Sequence, residues 1–186
     1  MNKYIHASYC VPCGFLKMVI LKIRGRKRFS GPIISMISPI TEITLDKGGI
    51  LRIGNKFKMR DSAKLRVRNR AECIIGNNVS LNCQNMIACR EKIVIGNDVQ
   101  FSPNVQIYDH DHDYKTLGGS KAGKYKTSPV VIGNNVWIGA NTVILRGTVL
   151  GDNCVVGAGS IIKGHYPDNS LVIQKRDETV LTEERE

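Results

Sequence analysis

From Ile132 onward an aliphatic side chain returns at every sixth position, through Ile138, Ile144, Leu150, Val156 and Ile162. Six residues advance an α-helix by about 240°, which would spread these side chains over three directions, so no helix buries them together. Six is even, and alternate residues of a strand share one side. Short strand segments therefore keep every aliphatic on an inner face, provided that the chain bends between segments. Gly133, Gly139, Gly151 and Gly157 directly follow four of the aliphatics, and Asn134, Ala140 and Asp152 come one position later. Compact residues fall at the fourth position: Val136, Thr142, Thr148, Cys154 and Ser160. Gly, Asn and Asp tolerate tight or left-handed corners. Three flat segments close one coil in about eighteen residues. Stacked coils then hydrogen-bond at about 4.8 Å around a shared aliphatic column. The expected fold is all-β, a parallel β-helix, on which periodicity alone sets no hand.

The same grammar occurs earlier with slippage, in Ile75-Gly76-Asn77-Asn78-Val79 and in Ile95-Gly96-Asn97-Asp98-Val99. The extra residues between Ile53 and Ile75, and between Ile87 and Ile95, predict small bulges or loops in these coils. The repeating core is expected over 36–163 and the whole β-helix domain over 36–173. A basic cap segment is expected over 1–35, and a tail or short helix over 174–186. Between Ile107 and Ile132 the period fails, so 108–130 is expected to leave the column as a polar loop carrying His110 and His112. Such loops on repetitive scaffolds line working surfaces. Phe15 to Ile23 reads as an amphipathic helix or strand, followed by Arg24, Arg26, Lys27 and Arg28. A cap over the open first coil is the favoured role, and contact with an acidic membrane surface is the alternative.

Composition narrows the picture. With 186 residues, 42% of them hydrophobic, the chain is long enough for one domain with a real core. Lys and Arg outnumber Asp and Glu by 27 to 16, and the resulting charge of +11 favours anionic partners without bearing on the fold. The chain has only four Phe, six Tyr and one Trp, too few to interleave a basic surface for base stacking, so no nucleic-acid partner is expected. The six Cys are scattered, and the chain begins without an export pattern, so they are read as reduced, mostly buried and cytoplasmic. Cys10 and Cys13 lack the second close pair of a zinc ribbon. Ser160 falls within the six-residue rhythm and is read as a corner, not a nucleophile.

The repeats Val131-Ile132-Gly133-Asn134-Asn135-Val136-Trp137-Ile138-Gly139-Ala140, and Gly151-Asp152-Asn153 through Gly157-Ala158-Gly159-Ser160 with Pro167 beyond, resemble the hexapeptide-repeat acyltransferases. Within them the chain is most similar to the sugar O-acetyltransferases, including galactoside, maltose and capsule- or O-antigen-modifying enzymes. The resemblance implies a left-handed parallel β-helix, a homotrimer with sites between subunits, acetyl-CoA as co-substrate and a sugar acceptor. Pro103-Asn104-Val105 matches the motif that precedes the catalytic histidine loop, which points to His112 as base, with His110 as the neighbouring alternative. Asn82 matches the acceptor-binding Asn, and Trp137 a residue common after the loop, assigned to the cofactor side. The basic N-terminal segment differs from the longer helical domain of the galactoside and maltose enzymes. Ile173-Gln174-Lys175-Arg176 replaces the usual Gly-x-Pro. Both departures favour a cell-surface polysaccharide precursor, free or lipid-linked, over a soluble galactoside or maltose.

The chemistry fits imidazole, whose ordinary pKa near 6.5 suits removal of a hydroxyl proton near neutrality. Asp109 and Asp111 stand beside the histidines, as candidates to fix a tautomer or to contact the substrate. Lys163, Lys175 and Arg176 are candidate contacts for the CoA phosphates. Two rival readings are zinc-dependent hydration on the same fold and a non-enzymatic solenoid that binds anionic ligands. The first needs three histidine ligands from His6, His110, His112 and His165, whose spacing supplies no clear third, so no metal is expected.

Overall fold

The computed structural model describes residues 3–175, with side chains from residue 8 onward. Helix α1 (Lys3–Gly25) and a 3-10 turn (Arg26–Arg28) lead into a parallel β-helix of three faces. Face A runs from Phe29–Ser30 to His165–Tyr166, face B from Met36–Ile37 to Leu171–Val172, and face C from Glu42–Leu45 to Ile161–Ile162. The chain visits A, B and C in turn. Each strand pairs in parallel with its equivalent one coil away, as in Ile95 with Ile132, Ile132 with Leu150, Ile138 with Val156 and Ile144 with Ile162. All six period-setting aliphatics from Ile132 to Ile162 are buried.

The early coils are wider, and not through bulges or loops. Twenty-two residues separate Ile53 from its register partner Ile75, twenty separate Ile75 from Ile95, eighteen separate Ile132 from Leu150, and sixteen separate Leu150 from Tyr166. Between Ile53 and Ile95, the strands of faces A and C have four residues and bury two each, such as Leu65 and Val67 or Ile87 and Cys89. Residues added to a strand in pairs preserve its alternation, so the column broadens while its register survives.

Corners follow from residue type. Asn78, Asp98, Asn104, Asn135, Asn141, Asn153 and Asn169 all have φ between 54° and 63°, the single left-handed step that Asn and Asp take at low cost. At the A-to-B corner, side-chain oxygens of Asn77, Asn97, Asn134, Asp152 and Asp168 each accept the backbone N–H of the equivalent residue one coil before, at 2.6–2.9 Å. Glycine precedes this ladder because the coils touch there: a Cβ on Gly96 would lie 2.6 Å from the Gly133 carbonyl oxygen. Ser160 is a buried corner residue whose hydroxyl donates to the Gly157 carbonyl at 2.7 Å.

The first coil is covered by α1, and the last is partly paired. Met18 and Leu21 of α1 join the core. The Lys17 ammonium donates to the carbonyls of Ser38, Pro39 and Thr41 at 2.7–3.1 Å, and burial lowers its pKa. At the narrow end the Gln174 amide binds both the N–H and the C=O of Ile161, at 2.9 and 2.6 Å, as a neighbouring strand would. The six cysteines are free thiols, and Cys10, Cys73, Cys89 and Cys154 are buried. Among the described residues no helix is long and apolar enough to cross a membrane.

Candidate active site

The segment after Gln106–Tyr108 leaves the column as an ordered hairpin. His110–His112 pairs antiparallel with Tyr125–Thr127, placing His110 opposite Thr127, Asp111 opposite Lys126 and His112 opposite Tyr125. Strand alternation puts His110, His112 and Tyr125 on one side and Asp111 on the other. The His112 ring leans on Tyr125 with centroids 4.6 Å apart, and the His110 ring meets Tyr125 and Tyr108 edge-on at 5.5 and 6.0 Å. The Arg90 guanidinium lies 3.4 Å from the Tyr125 ring centroid, a cation–π contact that joins hairpin to column. On the opposite side, Arg146 Nε binds Asp111 at 2.5 Å.

The hairpin is rooted in an unusual corner. One coil earlier, the C-to-A corner takes Arg68 to Ala71 and closes on itself, with the Ala71 N–H donating to the Arg68 carbonyl at 3.1 Å. In the next coil only Arg90 and Glu91 separate Met86–Cys89 from Lys92–Ile95, too few for that closure. Their backbone N–H groups instead donate to the Asp109 carboxylate, from Arg90 to both oxygens at 2.9 Å and from Glu91 to one at 2.7 Å. The same carboxylate takes His110 Nδ1 at 2.9 Å, and the Asp109 carbonyl accepts the Ser128 N–H at 2.9 Å across the hairpin base. Asp109 is fully buried, so it lies beneath the imidazole and not against an acceptor, and it meets His110 rather than His112. Asp111 is likewise held by Arg146. Among the histidines, the His110 side chain is only 14% exposed, whereas His112 is exposed. Close by in the core, the Cys89 thiol pKa is pushed up by its hydrogen bond to Cys73 and by burial.

The remaining candidates do not converge within one chain. Asn82 lies at the B-to-C corner, where its side-chain oxygen accepts the Cys83 N–H at 2.8 Å. The histidines stand at the other edge of face C, about 13 Å away along a four-residue strand. A shallow groove of about 270 Å³ crosses the outside of that face, lined by Lys64, Gln84, Gln106 and Tyr108 among others. Trp137 is 54% exposed on face B and donates its indole N–H to Ser102 Oγ at 3.2 Å. Lys163 follows Ile161–Ile162 on the histidine corner, one coil beyond Arg146, while Lys175 follows the last strand of face B. Arg176 lies outside the described residues, as do the rest of the expected 174–186 tail beyond Lys175 and the His6 side chain. Among the described residues no three His, Cys, Asp or Glu side chains gather as a metal site. Sequence reasoning missed Tyr125, Arg90 and Arg146; the only trace of the pairing is that Tyr125-Lys126-Thr127 mirrors His110-Asp111-His112 in alternation.

Comparison with known proteins agrees with this architecture. The family model for bacterial transferase hexapeptide (six repeats) matches residues 129–164. The putative lipopolysaccharide biosynthesis O-acetyl transferase WbbJ of Escherichia coli is 31% identical over 140 residues, covering 67% of each chain. The galactoside O-acetyltransferase of Escherichia coli is 40% identical over 96 residues, covering 51% of this chain and 46% of that enzyme, so the match spans under half of that relative. Among solved structures, AntD, a Bacillus cereus N-acyltransferase in complex with dTDP and 3-hydroxybutyryl-CoA, superposes with a TM-score of 0.64. It is 22% identical, with 81% of this chain and 79% of that one covered. The acetyltransferase VCA0836 of Vibrio cholerae, complexed with acetyl coenzyme A, has a TM-score of 0.52 at 21% identity, covering 89% and 80%. At these identities the two structures speak to the fold alone. With its stacked six-residue repeats and its match along two thirds of WbbJ, the chain belongs to the bacterial hexapeptide-repeat transferases, as an acetyltransferase of that family.

Proposed function

We propose that the protein moves acetyl from acetyl-CoA to a hydroxyl of a sugar in a cell-surface polysaccharide precursor, with His112 as general base. The carrying observation is the rooted hairpin, which holds an exposed imidazole outside the column on a fixed corner. His112 takes the acceptor proton as the sugar oxygen bonds to the thioester carbonyl carbon, and a backbone N–H stabilises the oxyanion. Collapse breaks the carbon–sulfur bond, and the departing CoA thiolate receives the proton from the imidazolium. The donor carries over from the acetyl-coenzyme A complex of VCA0836 and the acceptor class from the name of WbbJ. The free thiols suit the reducing cytoplasm in which acetyl-CoA would be met.

The separation of Asn82 from the histidines supports a homotrimer in which a neighbouring subunit supplies its Asn82 corner to the hairpin. Lys163 on the histidine corner suits a CoA phosphate, with Lys175, which follows the last strand of face B, and Trp137 on face B as further contacts, and Arg176 next to Lys175 in sequence as another candidate.

One observation favours a second reading. His110 carries the carboxylate partner that orients a general base elsewhere. Thiol release from acetyl-CoA with envelope glycan precursors separates the two. His112→Ala should lower kcat/KM by at least about 100-fold with CoA binding retained, while His110→Ala loses less. The reverse order moves the base to His110, and full activity in both variants refutes the mechanism.

A further inference from the structure

Helix α1 closes the first coil with one side and leaves the other side apolar. At 100° per residue, Cys10, Gly14, Met18, Leu21 and Gly25 fall within an arc of about 80°, and all five are buried. Phe15, Leu16, Ile20 and Ile23 fall within an opposite arc of about 140° and are 49%, 59%, 39% and 70% exposed. A helix used only as a lid would turn polar residues outward. The corners beside it are no more polar: Ile34 and Ile40 of the first coil are 69% and 65% exposed, next to the Ser35 to Thr41 segment on which α1 rests.

The charge at this end identifies the occupant. Lys3 to Arg28 contains no acidic residue. Lys22 and Arg24 bracket the apolar arc, Arg26 and Lys27 follow it, and all four are exposed. None of the four forms an ion pair among the described residues, whereas Arg28 is held by the carbonyls of Asp46 and Gly49. An apolar stripe flanked by cations matches the acyl boundary and headgroups of an anionic bilayer. A second copy of the same face would oppose it with like charge.

We propose that α1 is an interfacial helix that docks this end of the β-helix onto an anionic phospholipid surface, lying in the plane of the headgroups. Each basic residue near such a surface strengthens binding about fivefold, so the four cations separate anionic from neutral membranes by on the order of a hundredfold or more.

The test is co-sedimentation of the full chain with phosphatidylcholine vesicles, with or without about one third phosphatidylglycerol, at low and high salt. Binding to the anionic vesicles only, weakened by salt, is expected. Lys22→Gln, Arg24→Gln, Arg26→Gln and Lys27→Gln combined should remove the lipid preference. Leu16→Asp with Ile23→Asp should abolish binding while the circular dichroism and the oligomeric state stay unchanged. In an Ile23→Trp variant, indole emission should shift to the blue on adding anionic vesicles. Equal binding to neutral vesicles, or no binding to either, overturns the proposal. So does dissociation of the oligomer by the Asp pair, because it would assign the face to a second copy. Since acetyl transfer to a soluble glycan is read separately, failure of membrane binding leaves the proposed chemistry intact.

Discussion

Replacing Asp109 by Ala tests whether one carboxylate roots the histidine hairpin. Two backbone N–H groups, of Arg90 and Glu91, would lose their acceptor, along with the Nδ1 contact of His110. A stranded buried donor costs about 1–3 kcal/mol, so the pair costs about 2–6 kcal/mol. Two effects pull toward the lower end: the variant no longer desolvates a carboxylate, and the corner is near enough to the surface for water to enter the space left behind. An overall loss of about 2–4 kcal/mol is expected. Asp109→Asn keeps one acceptor oxygen but turns an NH₂ toward the second donor, and should fall between Ala and wild type. Because the hairpin is anchored through this corner, the loss should concentrate there. Amide exchange across His110–His112 and Tyr125–Thr127 should accelerate by about 30-fold or more, while the core strands of faces A and B change less. Hydrogen-exchange mass spectrometry reads the local effect and urea unfolding the global one. A shift under about 0.5 kcal/mol, with unchanged exchange in the hairpin, would show that the carboxylate does not hold the corner.

Other positions give sharp outcomes. Gly96→Ala forces a Cβ to 2.6 Å from the Gly133 carbonyl oxygen, whereas the nearest atom at Gly157 is 3.3 Å away. Unfolding should therefore cost about 1–3 kcal/mol less for Gly96→Ala than for wild type, and Gly157→Ala should change it far less. Ile138→Ala empties a fully buried position in the column and should lower stability by about 2–5 kcal/mol in urea titration. The bidentate hydrogen bond from Arg66, at 2.7 and 2.9 Å, holds the Glu42 carboxyl below its ordinary value of 4.5. The resulting stability is present above pH 4.5 and disappears as pH falls through the lower folded-state value. Both side chains are about one third exposed, so the difference between wild type and Glu42→Gln should stay under about 1 kcal/mol and shrink with salt. Native-state alkylation followed by mass spectrometry should modify Cys13 and Cys83 before Cys73 and Cys89, since the latter pair is buried and the Cys89 thiol resists ionisation.

The column is legible in the sequence because its signal is one-dimensional: an even spacing of aliphatics states which side chains share an interior before any contact is known. The widening of the early coils reads as bulging for the same reason. A pair of residues added to each of two strands, as around Leu65 and Val67, disturbs the count but not the alternation. The hairpin is opaque because its order comes from contacts across coils, Arg90 on Tyr125 and Arg146 on Asp111, which no local pattern encodes. Asp109 is an intermediate case. Its function as an acceptor follows once the coils are aligned and Arg90-Glu91 is found two residues short of the corner before it. Asn82 and His112 both lie next to coil corners in the sequence, but only the strand order shows that a whole face separates them. Lys17 reads as one more surface charge until its carbonyl nest is visible.

The taper of the prism has a consequence for assembly. A solenoid with identical ends could grow without limit, each molecule offering its last rung to the first rung of the next, as strands do in a fibril. Here the first rung is broad and lies under a helix, and the last is narrow, with a glutamine amide occupying part of its edge. Mismatched and obstructed termini oppose such head-to-tail growth, so the homotrimer proposed above would form laterally, across the flat sides.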